Sequence, residues 1–142
     1  MRTSIKSIIA AIIVITSSAF ANAATTDKNL NTAESTIHEY IDGITLGRTE
    51  NLEELFTENF KRNTAGKGVV HSHTKAQVIN FLKQNKNLKQ NCKTQYNVIE
   101  QSAQFALAQI EMKYPDFTKV EYVQLCREGN GWKINQVTTT YR

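Results

Sequence analysis

The chain is poor in the residues that interrupt or cross-link a fold: of 142 residues, one is proline, six are glycine and two are cysteine. So little proline and glycine excludes a linker-rich or low-complexity architecture, and no segment repeats another. Two cysteines are too few to staple together a small domain that lacks a core of its own. Long hydrophobic runs are missing too. The longest, Ile8 to Ile15, has eight residues, against the ~20 that a membrane-spanning helix needs. Between Asn59 and Ile99 there is no acidic residue at all.

The one short apolar run has a particular setting. Arg2 and Lys6 precede it, and Ala21-Asn22-Ala23 closes it with small residues at the spacing of a signal-peptidase site. This order predicts a cleaved secretory signal over residues 1–23 and an exported mature chain, periplasmic or secreted in a bacterium. No cysteine follows the cleavage region, which argues against a lipid-modified N-terminus. The polar residues 24–30 are expected to be flexible, and residues 31–142 to form one domain. About 120 mature residues are enough for one buried core and too few for two. No membrane span is expected in the mature chain.

The formal net charge of +4 includes Arg2 and Lys6; without them 15 bases face 13 acids. Their distribution is uneven. Residues 25–58 hold eight acids and two bases, whereas residues 59–99 hold eight bases and no acid. A charge dipole follows, with a basic segment able to face an anionic partner. That segment lacks the interleaved exposed aromatics of a nucleic-acid surface, so no nucleic acid is expected as a partner.

Periodicity divides the chain in two. Asn31 with Glu34 reads as a capping box, followed by a helical stripe of Ala33, Ile37, Tyr40, Ile41 and Ile44 that Gly47 ends. Thr49 caps a second, shorter helix burying Leu52, Leu55 and Phe56. Thr74 with Gln77 opens a third, with Ala76 or Val78, Phe81 and Leu82 inward. From Cys92 the period becomes two, and strands are predicted near 92–101, 103–114, 117–128 and 131–141, separated by Gln101-Ser102, Pro115-Asp116 and Gly129-Asn130-Gly131. Phe105 and Leu107 share one parity while Ile110, Met112 and Tyr114 share the other, which predicts a bulge near Ala108-Gln109. Helices on one face of a curled antiparallel meander make an α+β cone.

The order of helix, short helix, strand, helix and four-strand meander resembles the nuclear-transport-factor-2-like superfamily. Within it the chain is most similar to the putative lumazine-binding family. The residues that carry the likeness are Tyr40-Ile41-Asp42-Gly43, Leu55-Phe56, Phe117-Thr118 through Tyr122, Leu125, Gly129 and Trp132-Lys133-Ile134; Glu121 stands where the family usually has an acid before the tyrosine of the penultimate strand. The resemblance implies a cone with three N-terminal helices packed on a curled antiparallel sheet, and a pocket between sheet and first helix.

In such a pocket inward polar residues are the default ligand contacts. The candidates are Tyr40, Tyr96, Glu111, Tyr122 and Trp132; packed core aromatics or solvated strand residues are the plain alternative for each. Isomerases of the superfamily need a carboxylate base and a hydrogen-bonding pair in one apolar pocket. Here Asp42 falls at a helix end and Glu111 on the parity opposite Ile110 and Met112, so no catalytic residue is assigned. His71 and His73 share one side of an extended segment but offer only two ligands, so no metal site or cofactor is expected. His38, among Glu34, Glu39 and Asp42, reads as a surface residue. The turn positions set Cys92 level with residues near 119, leaving Cys126 on the order of 25 Å away, far beyond the ~7 Å that a disulfide allows between Cα atoms. Two unpaired thiols, or an intermolecular bond, are predicted.

Three functions remain open. One is a non-enzymatic domain that takes a small apolar or amphipathic ligand into the cone. Another is an isomerase or dehydratase acting through Asp42, His71 or Glu111. The third is a protein-interaction module using the charge dipole. A homodimer is expected, as sheets of this kind often pair face to face.

Overall fold

The structure is a computed structural model and describes residues 30–142. The expected signal over 1–23 and all of the expected flexible stretch except Leu30 lie outside the described residues. Leu30 itself is pinned: its carbonyl accepts from the Trp132 amide at 2.8 Å and its side chain packs against the core.

The elements run α1 (Ala33–Leu46), α2 (Leu52–Leu55), β1 (Phe56–Gly66), β2 (Val69–Thr74), α3 (Lys75–Gln84), β3 (Lys93–Gln101), β4 (Phe105–Lys113), β5 (Thr118–Glu128) and β6 (Gly131–Tyr141). The cap of α1 is one residue later than Asn31: Thr32 accepts from the Ser35 amide at 3.0 Å, and the Ser35 hydroxyl accepts from the Thr32 amide at 3.3 Å. A hydroxyl at the third position serves where Glu was expected. α3 begins at Thr74 with Gln77 completing the box, as its sequence implies. α2 is a single turn whose cap is Asn51, not Thr49, with no side-chain cap bond.

The six strands form one sheet in the order β2-β1-β6-β5-β4-β3. β3 to β6 are the antiparallel meander read from periodicity, but β1 joins β6 in parallel. The sheet is therefore mixed, and α3 follows the β1–β2 hairpin instead of preceding every strand. The expected bulge in β4 is absent: burial alternates without a break from Phe105 to Lys113, with Ala106, Ala108, Ile110 and Met112 inward and Phe105 and Leu107 half-exposed on the other face. Register shifts occur instead between Val98 and Glu100 of β3 and between Gln124 and Leu125 of β5. Each adds local bend and twist, which curls the sheet.

The helices cover the concave face. Ile37 and Tyr40 of α1, Leu52 and Leu55 of α2, and Val78, Ile79 and Leu82 of α3 meet Phe56, Phe60, Ile110, Val123, Leu125, Ile134 and Val137 of the sheet. Phe81, expected inward, is 56% exposed. Both cysteines are free. Lys93 pairs with Lys113 at one end of β4 and Cys126 pairs with Phe105 at the other, so about eight strand residues at roughly 3.3 Å each separate the thiols.

Candidate functional site

The concave face is not filled throughout. A cavity of about 420 Å³ opens between α3 and the sheet. Val78, Phe81 and Leu82 of α3 and Ile44 of α1 form one wall, and Tyr114 and Phe117, which flank the β4–β5 turn, form another with Tyr141 at the end of β6. The Tyr114 and Phe117 rings stack at 4.5 Å and 15°, and Tyr141 stands 6.0 Å from Phe117. Phe81, Phe117 and Tyr141 all remain exposed, so the aromatic end of the cavity faces solvent. Gln90 holds Tyr114 by accepting its hydroxyl at 3.3 Å. Burial, with Cys92 beside it, pushes the Tyr114 phenol up to about 12, so it is neutral at physiological pH.

The opposite end is polar. Arg62 and Thr64 of β1, His73 of β2 and Lys119 of β5 line it. The pairing Arg62 with His73 and Thr64 with His71 sets all four side chains on one face of the hairpin. Beneath them lies Glu121, fully buried. Its Oε1 receives Arg62 at 2.6 Å, Lys119 at 3.0 Å and the Thr139 hydroxyl at 3.3 Å; its Oε2 receives the Tyr40 hydroxyl at 2.7 Å. Burial alone would raise the Glu121 pKa, but Lys119 and Arg62 outweigh it and hold the carboxyl below its usual range. Burial and the neighbouring Glu121 push the Tyr40 phenol well above its ordinary value. Burial would lower the Arg62 pKa, yet its acidic neighbours hold it above the ordinary value. The cluster is an ionised carboxylate between two cations and two hydroxyls, with every oxygen of Glu121 occupied.

The five ligand contacts expected from sequence lie elsewhere than the cavity lining. Tyr40 is buried beneath the polar end, where its hydroxyl donates to Glu121. Trp132 is core, and its carbonyl accepts from the Thr36 hydroxyl at 3.3 Å. Tyr96 ties β3 to α1, donating to Glu34 at 2.8 Å with His38 edge-on to its ring at 5.1 Å. Glu111 is engaged by Arg142 and by Gln95 at 3.0 Å. Tyr122 points away from the cone, where the Gln109 amide reaches it at 3.5 Å. His73 was weighed only as a metal ligand beside His71, and Arg62 and Lys119 were missed because each reads as an ordinary surface cation until the register is known. Their signal was the parity shared by Phe60, Arg62 and Thr64, and by Lys119, Glu121 and Val123.

The charge dipole is partly closed within the chain. Lys75 of the basic segment pairs with Glu58 at 2.9 Å and Lys83 with Glu53 at 3.6 Å. No helix of the described residues is long and apolar enough to cross a membrane.

A cone of helices over a curled, bulged sheet with a cavity on its concave side places the protein in the NTF2-like class of α+β folds. Solved structures of that class superpose on it. An NTF2-like protein of unknown function from Silicibacter pomeroyi matches with a TM-score of 0.66 at 13% identity, over 83% of this chain and 99% of that one. An NTF2-like protein of unknown function from Shewanella baltica gives 0.61 at 9% identity over 77% and 90% of the two chains, and a cystatin-like fold protein from Burkholderia xenovorans gives 0.62 at 15% over 82% and 94%. No curated protein matches the sequence. The chain belongs to the putative lumazine-binding family, whose profile matches residues 28–142.

Proposed function

We propose that this protein is an exported, non-enzymatic binding domain that takes a small amphipathic molecule into the cavity between α3 and the sheet. One observation carries the reading: a cavity of about 420 Å³ with an aromatic end open to solvent and a polar end whose carboxylate is fully occupied. That volume lies in the ~300–1,000 Å³ range of small-molecule sites, which are mostly apolar with a few fixed polar groups. Proton-transfer chemistry asks for an accessible base whose pKa lies near working pH. Glu121 is sealed from solvent and held ionised, while Asp42, His71 and Glu111 stand outside the cavity lining. The family description names lumazine, and a flat bicyclic heterocycle of that kind suits the stacked Tyr114 and Phe117 rings. Export rests on the Arg2, Ile8–Ile15 and Ala21-Asn22-Ala23 pattern. A homodimer through the outward sheet face belongs to the same proposal, supported by Tyr122, Phe105 and Leu107, which lie there exposed or half-exposed.

The test is fluorescence titration of the mature protein with N-phenyl-1-naphthylamine, a neutral probe that brightens in apolar sites, with lumazine as competitor. Saturable brightening that is lost in Thr64→Trp, which fills the wall with an indole while leaving the circular dichroism spectrum unchanged, is the expected result. Brightening that survives the substitution locates the probe elsewhere and overturns the reading.

A further inference from the structure

The polar end of the cavity has more donors than its own chain can use. Arg62 carries five guanidinium protons and Lys119 three ammonium protons. Glu121 and Thr139 take two from Arg62, through Nη2 at 2.6 Å and Nε at 3.3 Å, and Glu121 takes one from Lys119 at 3.0 Å. The rest have no acceptor in the cluster. Both side chains line the cavity and keep 14% exposure, so a molecule in the cavity can reach them. Among the described residues no carboxylate lines the cavity; Glu121 lies behind the two cations with no exposure. Two positive charges over one negative leave the end with a net charge of one positive. His73, which faces Arg62 across the hairpin, brings no negative charge to it. A confined cationic end with spare donors is complementary to an acceptor-rich anion.

We infer that the ligand of this cavity is an amphipathic monoanion, its carboxylate- or sulfonate-like head on Arg62 and Lys119 and its flat apolar body between Phe81 and the Tyr114, Phe117 and Tyr141 rings. This rests on the reading of the cavity as a ligand site and adds the ligand's charge and orientation. A cation would meet two like charges and no free carboxylate. A wholly apolar ligand would leave the donors unpaired and displace the water that satisfied them.

Two probes with one ring skeleton separate the inference from the reading beneath it. 8-Anilinonaphthalene-1-sulfonate is N-phenyl-1-naphthylamine with a sulfonate added. The sulfonate makes it the more water-soluble of the pair, so an apolar cavity alone favours the neutral amine. The expected result is that the sulfonate binds the mature protein at least about tenfold more tightly, the worth of one charge-assisted hydrogen bond. In Lys119→Met, which brings the net charge of the end to zero, the preference falls to about twofold or less. In Glu121→Gln, which leaves both cations uncompensated, it rises. Circular dichroism reports whether each variant folds, and the ratio in the unsubstituted protein decides by itself if neither does. Equal affinities, or a ratio that the charge variants leave unmoved, overturn the inference while the cavity remains a ligand site. Failure of both probes to bind in a Thr64-dependent way overturns the ligand site itself.

Discussion

The hydroxyl of Tyr40 in α1 donates to Oε2 of Glu121 in β5 at 2.7 Å, and the two residues keep 2% and 0% of their surface. This bond joins the helix layer to the sheet through a buried polar contact, as the Thr36 hydroxyl does at the Trp132 carbonyl. Tyr40→Phe keeps the ring, which stands edge-on to Phe56 at 6.1 Å, and removes only the donor to a buried charge. The expected loss is about 1.5–3 kcal/mol, the range for hydrogen bonds to charged groups. It is read as a lower urea midpoint with an unchanged slope. A midpoint equal to that of the parent would mean that Glu121 does not depend on the phenol.

Glu121 also sets a pH dependence whose sign is fixed by its surroundings. Burial opposes its charge, but Lys119 and Arg62 prevail and hold its pKa below the ordinary carboxylate range. The folded state therefore binds the proton less readily than the unfolded chain. The stability this contributes is fully present above about pH 4.5 and is lost as pH falls through the folded value. Glu121→Gln should be less stable than the parent at neutral pH, since it leaves two cations short of a partner. It should also lose stability less steeply between about pH 5 and pH 3. Glu58, lowered by its bond to Lys75 at the surface, keeps some slope in the variant. Urea unfolding across that range checks both points; parallel curves would show that the proton is taken up elsewhere.

Much of the fold was legible because periodicity marks any element with one buried face. The stripe through Ile37 and Tyr40 and the four alternating runs after Cys92 each announced themselves, and both free cysteines followed from counting along those runs. The β1–β2 hairpin did not. Its turn places Lys67 and Gly68 at φ of 52° and 76°, the two positive values of a type I′ turn, but with Lys where Asn, Asp or Gly usually signals it. All six residues of β2 are exposed, so no alternation marks the strand. The candidate site was hidden for a related reason. Arg62 and Lys119 come from strands separated by β6 in the sheet, and their parity with buried Phe60 and Val123 marks an inward side without telling a cavity from a packed core. Tyr122, next to Glu121 in β5, lies on the opposite face of the sheet, 38% exposed.

The last turn of α1 positions the cavity through its backbone. Gly47 ends the helix at φ +66°, its carbonyl accepts from the Asn87 amide at 2.9 Å, and the Thr45 carbonyl accepts from the Gln90 amide at 2.7 Å. Ile44 and Gln90, which both line the cavity, flank this junction. A Cβ on Gly47 would meet the backbone amides of Asn87 and Leu88 at 2.6 Å and the carbonyl of Asn85 at 2.7 Å. Backbone cannot swing aside as a flexible side chain can, so Gly47→Ala must part α1 from the segment that carries Gln90. Gly68→Ala is the control: its φ is also positive, at +76°, but no atom lies within 4 Å of the added carbon. The control should lose about 1–2 kcal/mol, the cost of a left-handed conformation with a side chain. Gly47→Ala should lose at least twice as much and also weaken N-phenyl-1-naphthylamine binding, because the wall at Ile44 and Gln90 moves with it. Thermal unfolding and probe titration of the two variants side by side check this. Equal destabilisation, with probe binding unchanged in both, would mean that the junction yields to a methyl group and does not hold the cavity's shape.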